Sequence, residues 1–217
     1  MDKFVLFDLD GTLVDPAPGI LGSFRHALSA LGQPAGPDEP LEWIIGPPLR
    51  ASFGRRLGGP ERVEEAVALY REVYGRDGLF RAAPYEGMMQ AVSALRAEGY
   101  RLFLCTAKPL PFARRVVVHF GFEPWFEALY GAGLDGRFDD KTELIAHILR
   151  EQELDAGQGC MVGDRDNDTS AAAKNGLASV GVLWGYGSRS ELMENGATVL
   201  CAEPRALKDC IDALLSD

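Results

Sequence analysis

The sequence predicts an α/β protein, a doubly wound parallel sheet interrupted after its first strand by an all-helical insertion. Three observations carry that prediction. Apolar runs with strand character occur at Phe4–Phe7, Arg101–Thr106, Gly159–Gly163 and Ser179–Leu183, with no in-and-out alternation. From about residue 82 these runs take turns with helical patterns, a rhythm that buries both faces of a parallel sheet under its crossovers. Residues 16–81 break the rhythm: they hold helical spacing and no convincing strand. The division is therefore 1–15 with 82–217 for the α/β core, and 16–81 for the helical insertion.

The helical readings follow from spacing. Leu144, Ile145, Ile148 and Leu149 share one face of a segment between the second and third runs, and another helix spans about Pro111 to Phe120. In the insertion, Ile20, Leu21, Phe24, Ala27, Leu28 and Leu31 recur at helical intervals, as do Val63, Ala66, Val67 and Tyr70. Between these two helices lies Gly46-Pro47-Pro48, a rigid turn. A chain of 217 residues, 47% hydrophobic and 25% charged, is long and apolar enough to bury such a core.

Composition excludes several function classes. A net charge of −10 speaks against nucleic-acid polymers and anionic membrane surfaces, both of which bind basic proteins. No stretch reaches the roughly 20 apolar residues of a membrane-spanning helix. The first residues run straight into a strand with no basic region or cleavage site, so the expected location is the cytoplasm. Cys105, Cys160, Cys201 and Cys210 lack paired spacing and read as free thiols. The expected partner is a small molecule, and the expected state a monomer or homodimer. If that molecule is an anion, its positive field must be local.

Chemistry gathers at the strand ends, where open α/β sheets bind ligands. The first strand runs into Asp8-Leu9-Asp10-Gly11-Thr12. Carboxylates two apart on a strand share a face, and their crowding is tolerable beside a divalent cation and an anionic ligand; alone, the segment is equally a solvated strand end. Thr106-Ala107-Lys108 offers a hydroxyl and backbone N–H groups opening a turn into a helix, suited either to a phosphate oxygen or to capping that helix. Lys141 begins the helix of Leu144, where Asp140 and Glu143 resemble a capping box; the alternative is a solvated lysine. Gly163-Asp164-Arg165-Asp166-Asn167-Asp168 places three carboxylates in five residues, inviting a hard cation or merely favouring a helix N-terminus. Four such features at successive strand ends form one site. None of His26, His119 and His147 falls near it.

These motifs, DLDGT at 8–12, Thr106, Lys141 and GDRDND at 163–168, in that order, resemble the haloacid dehalogenase-like hydrolase superfamily, in its phosphatase branch with a helical cap after the first strand. The resemblance covers nearly the whole chain and implies a Rossmann-like core. It implies that Asp8 is the nucleophile and Asp10 the general acid and base. Thr106, Ala107, Gly11 and Thr12 would bind the phosphoryl group, and Lys141 would neutralise its charge. The implied cofactor is Mg²⁺, held by Asp8, the backbone carbonyl of Asp10 and Asp164, with Asp168 either a further ligand or a support behind the ligands. One departure is Ala107, where many relatives have asparagine. The loop Ile45-Gly46-Pro47-Pro48-Leu49 resembles that of phosphoglycolate phosphatase-like 5′-nucleotidases, which implies nucleoside 5′-monophosphates, with phosphoglycolate second. Arg50, Arg55 and Arg56 follow that loop, and Arg50 is the candidate cap contact to substrate. The alternatives are a dehalogenase, which needs neither Asp10 nor a metal, and a phosphorylated receiver module, which needs no cap.

Overall fold

The structure, a computed structural model, describes residues 3–216. The chain runs β1 (Phe4–Phe7), β2 (Val14–Asp15), α1 (Ala17–Ala30), α2 (Leu49–Leu57), α3 (Val63–Arg76) and β3 (Ala83–Pro84). It continues α4 (Met88–Ala97), β4 (Arg101–Pro109), α5 (Leu110–His119), β5 (Ala128–Ala132), α6 (Lys141–Glu151) and β6 (Gly159–Gly163). It ends α7 (Asp166–Lys174), β7 (Ala178–Val182), α8 (Arg189–Glu194), β8 (Val199–Cys201) and α9 (Leu207–Leu214). Two compact units result: one built from the residues up to Asp15 and those from Pro84 onward, the other spanning Pro16–Ala83.

The first unit is a six-stranded parallel sheet in the order β5-β4-β1-β6-β7-β8, flanked by helices, which is the doubly wound α/β core expected from the sequence. Central β1 has neighbours on both edges and cover on both faces, so Phe4, Val5, Leu6 and Phe7 are all fully buried. That is why its apolar run does not alternate. Phe4 and Leu6 enter one cluster with Phe103, Met161 and the inward stripe Leu144, Ile145 and Ile148 of α6. Burying each such side chain contributes about 1.5–3 kcal/mol. On either side of β1 the connections leave in opposite directions, which opens a crevice at the carboxyl ends of β4, β1 and β6.

β5 and β8 are the sheet's edges, and the apolar-run criterion misses them because Ala128, Leu129, Val199 and Leu200 are only partly buried. β4 departs from expectation more instructively. It does not turn into a helix at Thr106 but stays extended to Pro109, with an irregular register between Thr106 and Pro109, and α5 opens only at Leu110. Thr106 therefore caps no helix.

The second unit packs α1 against α2 and α3. Ile20, Phe24, Ala27 and Leu28 form the buried face of α1, and the Phe24 ring stacks on Phe53 of α2 with centroids 4.2 Å apart. Phe53 meets Tyr70 of α3 edge-on at 6.3 Å. α2 buries only Ser52 and Phe53, too little to show a periodicity, and follows directly on Pro47-Pro48. No disulfide joins the four cysteines, and Cys105, Cys160 and Cys201 are buried. Among the described residues no helix is long and apolar enough to cross a membrane.

Candidate active site

Strand register sets the site. Phe7 lies opposite Leu104 on one side and Val162 on the other, so the three central strands reach their ends together. Asp8 follows β1 directly, its N–H donating to the Val162 carbonyl at 3.0 Å, and Asp164 follows β6 directly. Asp168 enters from the first turn of α7. One of its oxygens accepts the Arg165 backbone N–H at 3.0 Å, an ordinary helix-start bond, while the other accepts from Lys141. The same acid thus serves the helix start and stands against Lys141. Asp166, by contrast, is exposed: it is the first residue of α7, and its carboxylate accepts the neighbouring Asn167 N–H.

Lys141 is the first residue of α6, where the helix dipole disfavours a cation. Its ammonium is buried, 3.0 Å from Asp8 Oδ1 and hydrogen-bonded to Asp168 Oδ1. Burial pulls its pKa down, but Asp168 and Asp8 outweigh this and raise it, so the lysine stays charged. At this helix start Asp140 accepts the Thr142 N–H at 2.8 Å, and Glu143 makes no return bond, so the expected capping box is absent.

Carboxylate oxygens of Asp8, Asp164 and Asp168 lie within 4.8 Å of one another, all buried. Asp164 accepts the Thr12 hydroxyl at 3.3 Å and the Tyr186 backbone N–H at 2.8 Å. Burial, then Asp168 and Asp8, pushes Asp164 well above the ordinary carboxylate range. Burial likewise pushes Asp168 up to about 6, against the pull of Lys141. Asp8 Oδ1 has no hydrogen-bond partner, because Lys141 approaches it at ion-pair distance without hydrogen-bond geometry. Four buried carboxylates (Asp8, Asp10, Asp164, Asp168) face two buried ammoniums (Lys108, Lys141), so that ionising all four would leave two negative charges uncompensated. An orphaned oxygen and a deficit of two charges fit one divalent cation with oxygen ligands.

Asp10 is handled separately. Both its oxygens accept from Lys108 Nζ, at 2.9 and 2.6 Å, within a buried pair. Burial raises its pKa while Lys108 opposes. Asp8 and Asp10 thus avoid mutual repulsion by taking different lysines. Thr106 is buried, and its hydroxyl accepts the Lys108 N–H at 3.2 Å; Ala107 lies between them in the extended end of β4. Gly11 has φ +87°, and a Cβ there would stand 2.2 Å from Asp164 Oδ2, so both the turn and the close approach demand glycine. Arg50 belongs to the helical unit, where its guanidinium pairs with Glu64 at 2.7 Å.

Sequence reasoning missed two contributors. The sequence reading of Lys108 reaches only its backbone N–H, although a lysine near the end of an otherwise buried strand is itself a signal. The other is the loop after β7. Trp184 Nε1 donates to the Thr12 carbonyl at 3.0 Å, Tyr186 N–H holds Asp164, and the Tyr186 hydroxyl bonds Asp15. A Cβ on Gly185 would lie 2.3 Å from Asp164 Cβ. The Gly-Tyr-Gly run is the trace of this loop in the sequence.

Comparison with known proteins agrees with the geometry. A family model described as haloacid dehalogenase-like hydrolase matches residues 5–182. A 5′-nucleotidase of Pseudomonas aeruginosa is 42% identical over 214 residues, covering 96% of this chain and 95% of that protein. The tyrosine-protein kinase PtkA of Mycobacterium tuberculosis is 37% identical over 212 residues, covering 98% of this chain and 72% of that protein. A crystal structure of a predicted phosphatase from Clostridium acetobutylicum has a TM-score of 0.92 at 32% identity, covering 97% of this chain and 98% of its own. A strand-end aspartate beside a buried lysine and two further carboxylates, on this sheet and with these relatives, means that the chain belongs to the haloacid dehalogenase-like hydrolase family.

Proposed function

We propose that this phosphatase hydrolyses nucleoside 5′-monophosphates with Mg²⁺, through a phosphorylated Asp8. The observation that carries the route is Lys141, buried between Asp8 and Asp168 with an Asp8 oxygen left unbonded. A strand-end carboxylate with a lysine at ion-pair distance and one oxygen free of donors is a nucleophile that is held in place and unblocked. Asp8, Asp164 and Asp168, with the Asp10 carbonyl, would hold the ion; once bound it supplies positive charge against the phosphoryl oxygens.

The residues divide the reaction as follows. An Asp8 oxygen bonds to phosphorus, and the ester P–O bond breaks with its electron pair on the leaving oxygen. Asp10 delivers a proton to that oxygen. Water then attacks the phosphoryl group, Asp10 takes the proton of the water, and the bond to Asp8 breaks to release phosphate. Thr106 and the Ala107 N–H orient the phosphoryl oxygens, and Lys141 offsets the charge that builds on them. The expected Gly11 and Thr12 contacts are not kept, because their N–H groups donate to the Val14 and Leu9 carbonyls and the Thr12 hydroxyl to Asp164. The helical unit serves as the cap that recognises the leaving group, with Arg50 as its contact.

Two features support the nucleotide: the 5′-nucleotidase relative and the Ile45–Leu49 loop. Phosphoglycolate is the second substrate reading. The four unpaired cysteines support a reducing compartment, the cytoplasm. The test is a panel of nucleoside 5′-monophosphates, phosphoglycolate and p-nitrophenyl phosphate, each with and without Mg²⁺, followed by acid quenching and mass analysis of the Asp8 peptide. The expected result is Mg²⁺-dependent turnover, highest kcat/KM on a nucleotide, and a phosphoryl adduct on Asp8. Halide release from a haloacid, or no adduct on Asp8, overturns the reading.

A further inference from the structure

Lys108 has no role in the reaction as described so far, yet it is one of the two buried ammoniums of the core. It is fixed at both ends. Its main-chain N–H donates to Thr106 Oγ1 at 3.2 Å, and its Nζ reaches both oxygens of Asp10 at 2.9 and 2.6 Å. The irregular register of β4 between Thr106 and Pro109 brings this about, since an undisturbed strand would turn to a helix or continue its ladder here. The bridge to Asp10 spans 98 residues of sequence and joins the ends of β1 and β4. A carboxylate gripped at both oxygens by one buried cation has a single orientation, whereas a carboxylate free on a loop beyond a strand end has several.

We propose that Lys108 is the positioning residue for Asp10: it fixes the plane in which Asp10 meets the leaving oxygen and, later, the attacking water, and ties that plane to Thr106. Lys108 itself forms and breaks no covalent bond and passes no proton. The inference rests on the phosphatase reading of Asp10. Misplacing a proton-transfer group by about 1 Å costs on the order of 10²-fold in rate, and the cost falls where the leaving group needs the proton. Lys108 therefore acts on kcat rather than KM, and more on alkyl than on aryl esters.

The test is a double-mutant cycle of Lys108→Gln and Asp10→Asn, with Lys108→Arg beside it, read on a nucleoside 5′-monophosphate and on p-nitrophenyl phosphate. Lys108→Gln is expected to lower kcat on the nucleotide about 10²-fold, to change KM little, and to lower the aryl rate less. Acid quenching should still find phosphoryl-Asp8 from the aryl ester, now longer-lived because the water step also needs Asp10. In the Asp10→Asn background Lys108→Gln should cost nothing more, and Lys108→Arg should recover part of the loss. If Lys108→Gln does not fold, the neutral double variant against Asp10→Asn, and Lys108→Arg against wild type, carry the same two comparisons. Equal losses on both esters, or an undiminished loss in the Asp10→Asn background, overturn the inference, because Lys108 then touches the phosphoryl group itself. A wild-type protein without turnover overturns the phosphatase reading and this inference together; normal wild-type turnover with additive losses overturns this inference alone.

Discussion

One unit of this chain buries a cluster of charges, and among the described residues the other buries none. In the α/β unit Asp8, Asp10, Asp164, Asp168, Lys108 and Lys141 are each less than one-tenth exposed. In the helical unit the pairs Arg50–Glu64 and Arg62–Glu65 stand largely in solvent, and Arg55 lies over the Trp43 ring with its carbon 4.3 Å from the centroid. Buried charges cost several kcal/mol each unless matched, and removing one partner exposes the full penalty. Exposed pairs are worth about 0–1 kcal/mol. The core can thus hold this polar set only as a unit, whereas the helical unit can change its surface charges freely. The proposed function puts the chemistry in the constrained region and recognition in the permissive one.

The largest effect should come from the nucleophile. Asp8→Asn should lower kcat on the order of 10⁴-fold or more while the far-ultraviolet spectrum stays unchanged, and no phosphoryl adduct should form. A variant retaining several per cent of turnover would remove Asp8 from its role. Asp10→Asn comes next: a loss of about 10²–10⁴-fold on alkyl phosphates, much smaller on p-nitrophenyl phosphate, measured as the ratio of the two kcat/KM values. Equal losses would take the proton transfers away from Asp10.

The third concerns the cation. EDTA should abolish turnover and Mg²⁺ restore it, with Ca²⁺ a poor substitute because it prefers more ligands at longer distances. Binding should also be visible without substrate: at about 100 times its dissociation constant Mg²⁺ should add about 2.7 kcal/mol of stability, read as a rise in Tm. Asp164→Asn should lose that rise. A protein whose melting and turnover ignore exhaustive chelation would detach the carboxylate triad from any metal.

The contrast between the units also explains what could be read in the sequence. β1, β6 and β7 were legible because central parallel strands are apolar throughout, and the motifs at their ends were legible because each follows such a run. Edge strands β5 and β8 were not, since half their side chains meet solvent. α2 was hidden because a single aromatic, Phe53, anchors it. Asp8, Asp164 and Lys141 declared themselves as charged residues beside apolar runs. Lys108 and the Trp184–Gly187 loop did not, because their part depends on who stands opposite them across the sheet, and register is not written in spacing alone.

That loop gives a smaller effect. Gly185→Ala would drive a Cβ to 2.3 Å from Asp164 Cβ, so the loop or the carboxylate must shift. Since groups supporting a metal ligand are worth about 10–100-fold in metal affinity, the Mg²⁺ concentration for half-maximal rate should rise by about 10-fold or more, with kcat at saturating Mg²⁺ less affected. Gly22→Ala, in α1 with nothing within 4 Å of its added carbon, is the control and should change neither. An unchanged Mg²⁺ requirement would make the loop a passive wall.

The smallest effect, and the one that tests the permissive region, is Arg50→Ala. Its guanidinium is held by Glu64 through Nε at 2.7 Å and Nη2 at 3.2 Å, in a pair whose side chains are 32% and 71% exposed. Removing such a pair should leave Tm within about 4 °C, because the exposed pair contributes about 0–1 kcal/mol. Any change in catalysis is then recognition and not damage. If Arg50 contacts the natural leaving group, kcat/KM for the nucleotide should fall by about 10-fold, the scale of one charged hydrogen bond of about 1.5 kcal/mol or more. p-Nitrophenyl phosphate, which needs only the core's phosphoryl site, should be hydrolysed as before. Glu64→Gln sharpens the comparison: it removes the carboxylate charge that faces the guanidinium, and a substrate-binding Arg50 should then show an unchanged or lower KM for the nucleotide. Parallel losses on the two esters, or no loss on either, would confine Arg50 to its surface pair with Glu64, and specificity would have to come from other residues of the helical unit.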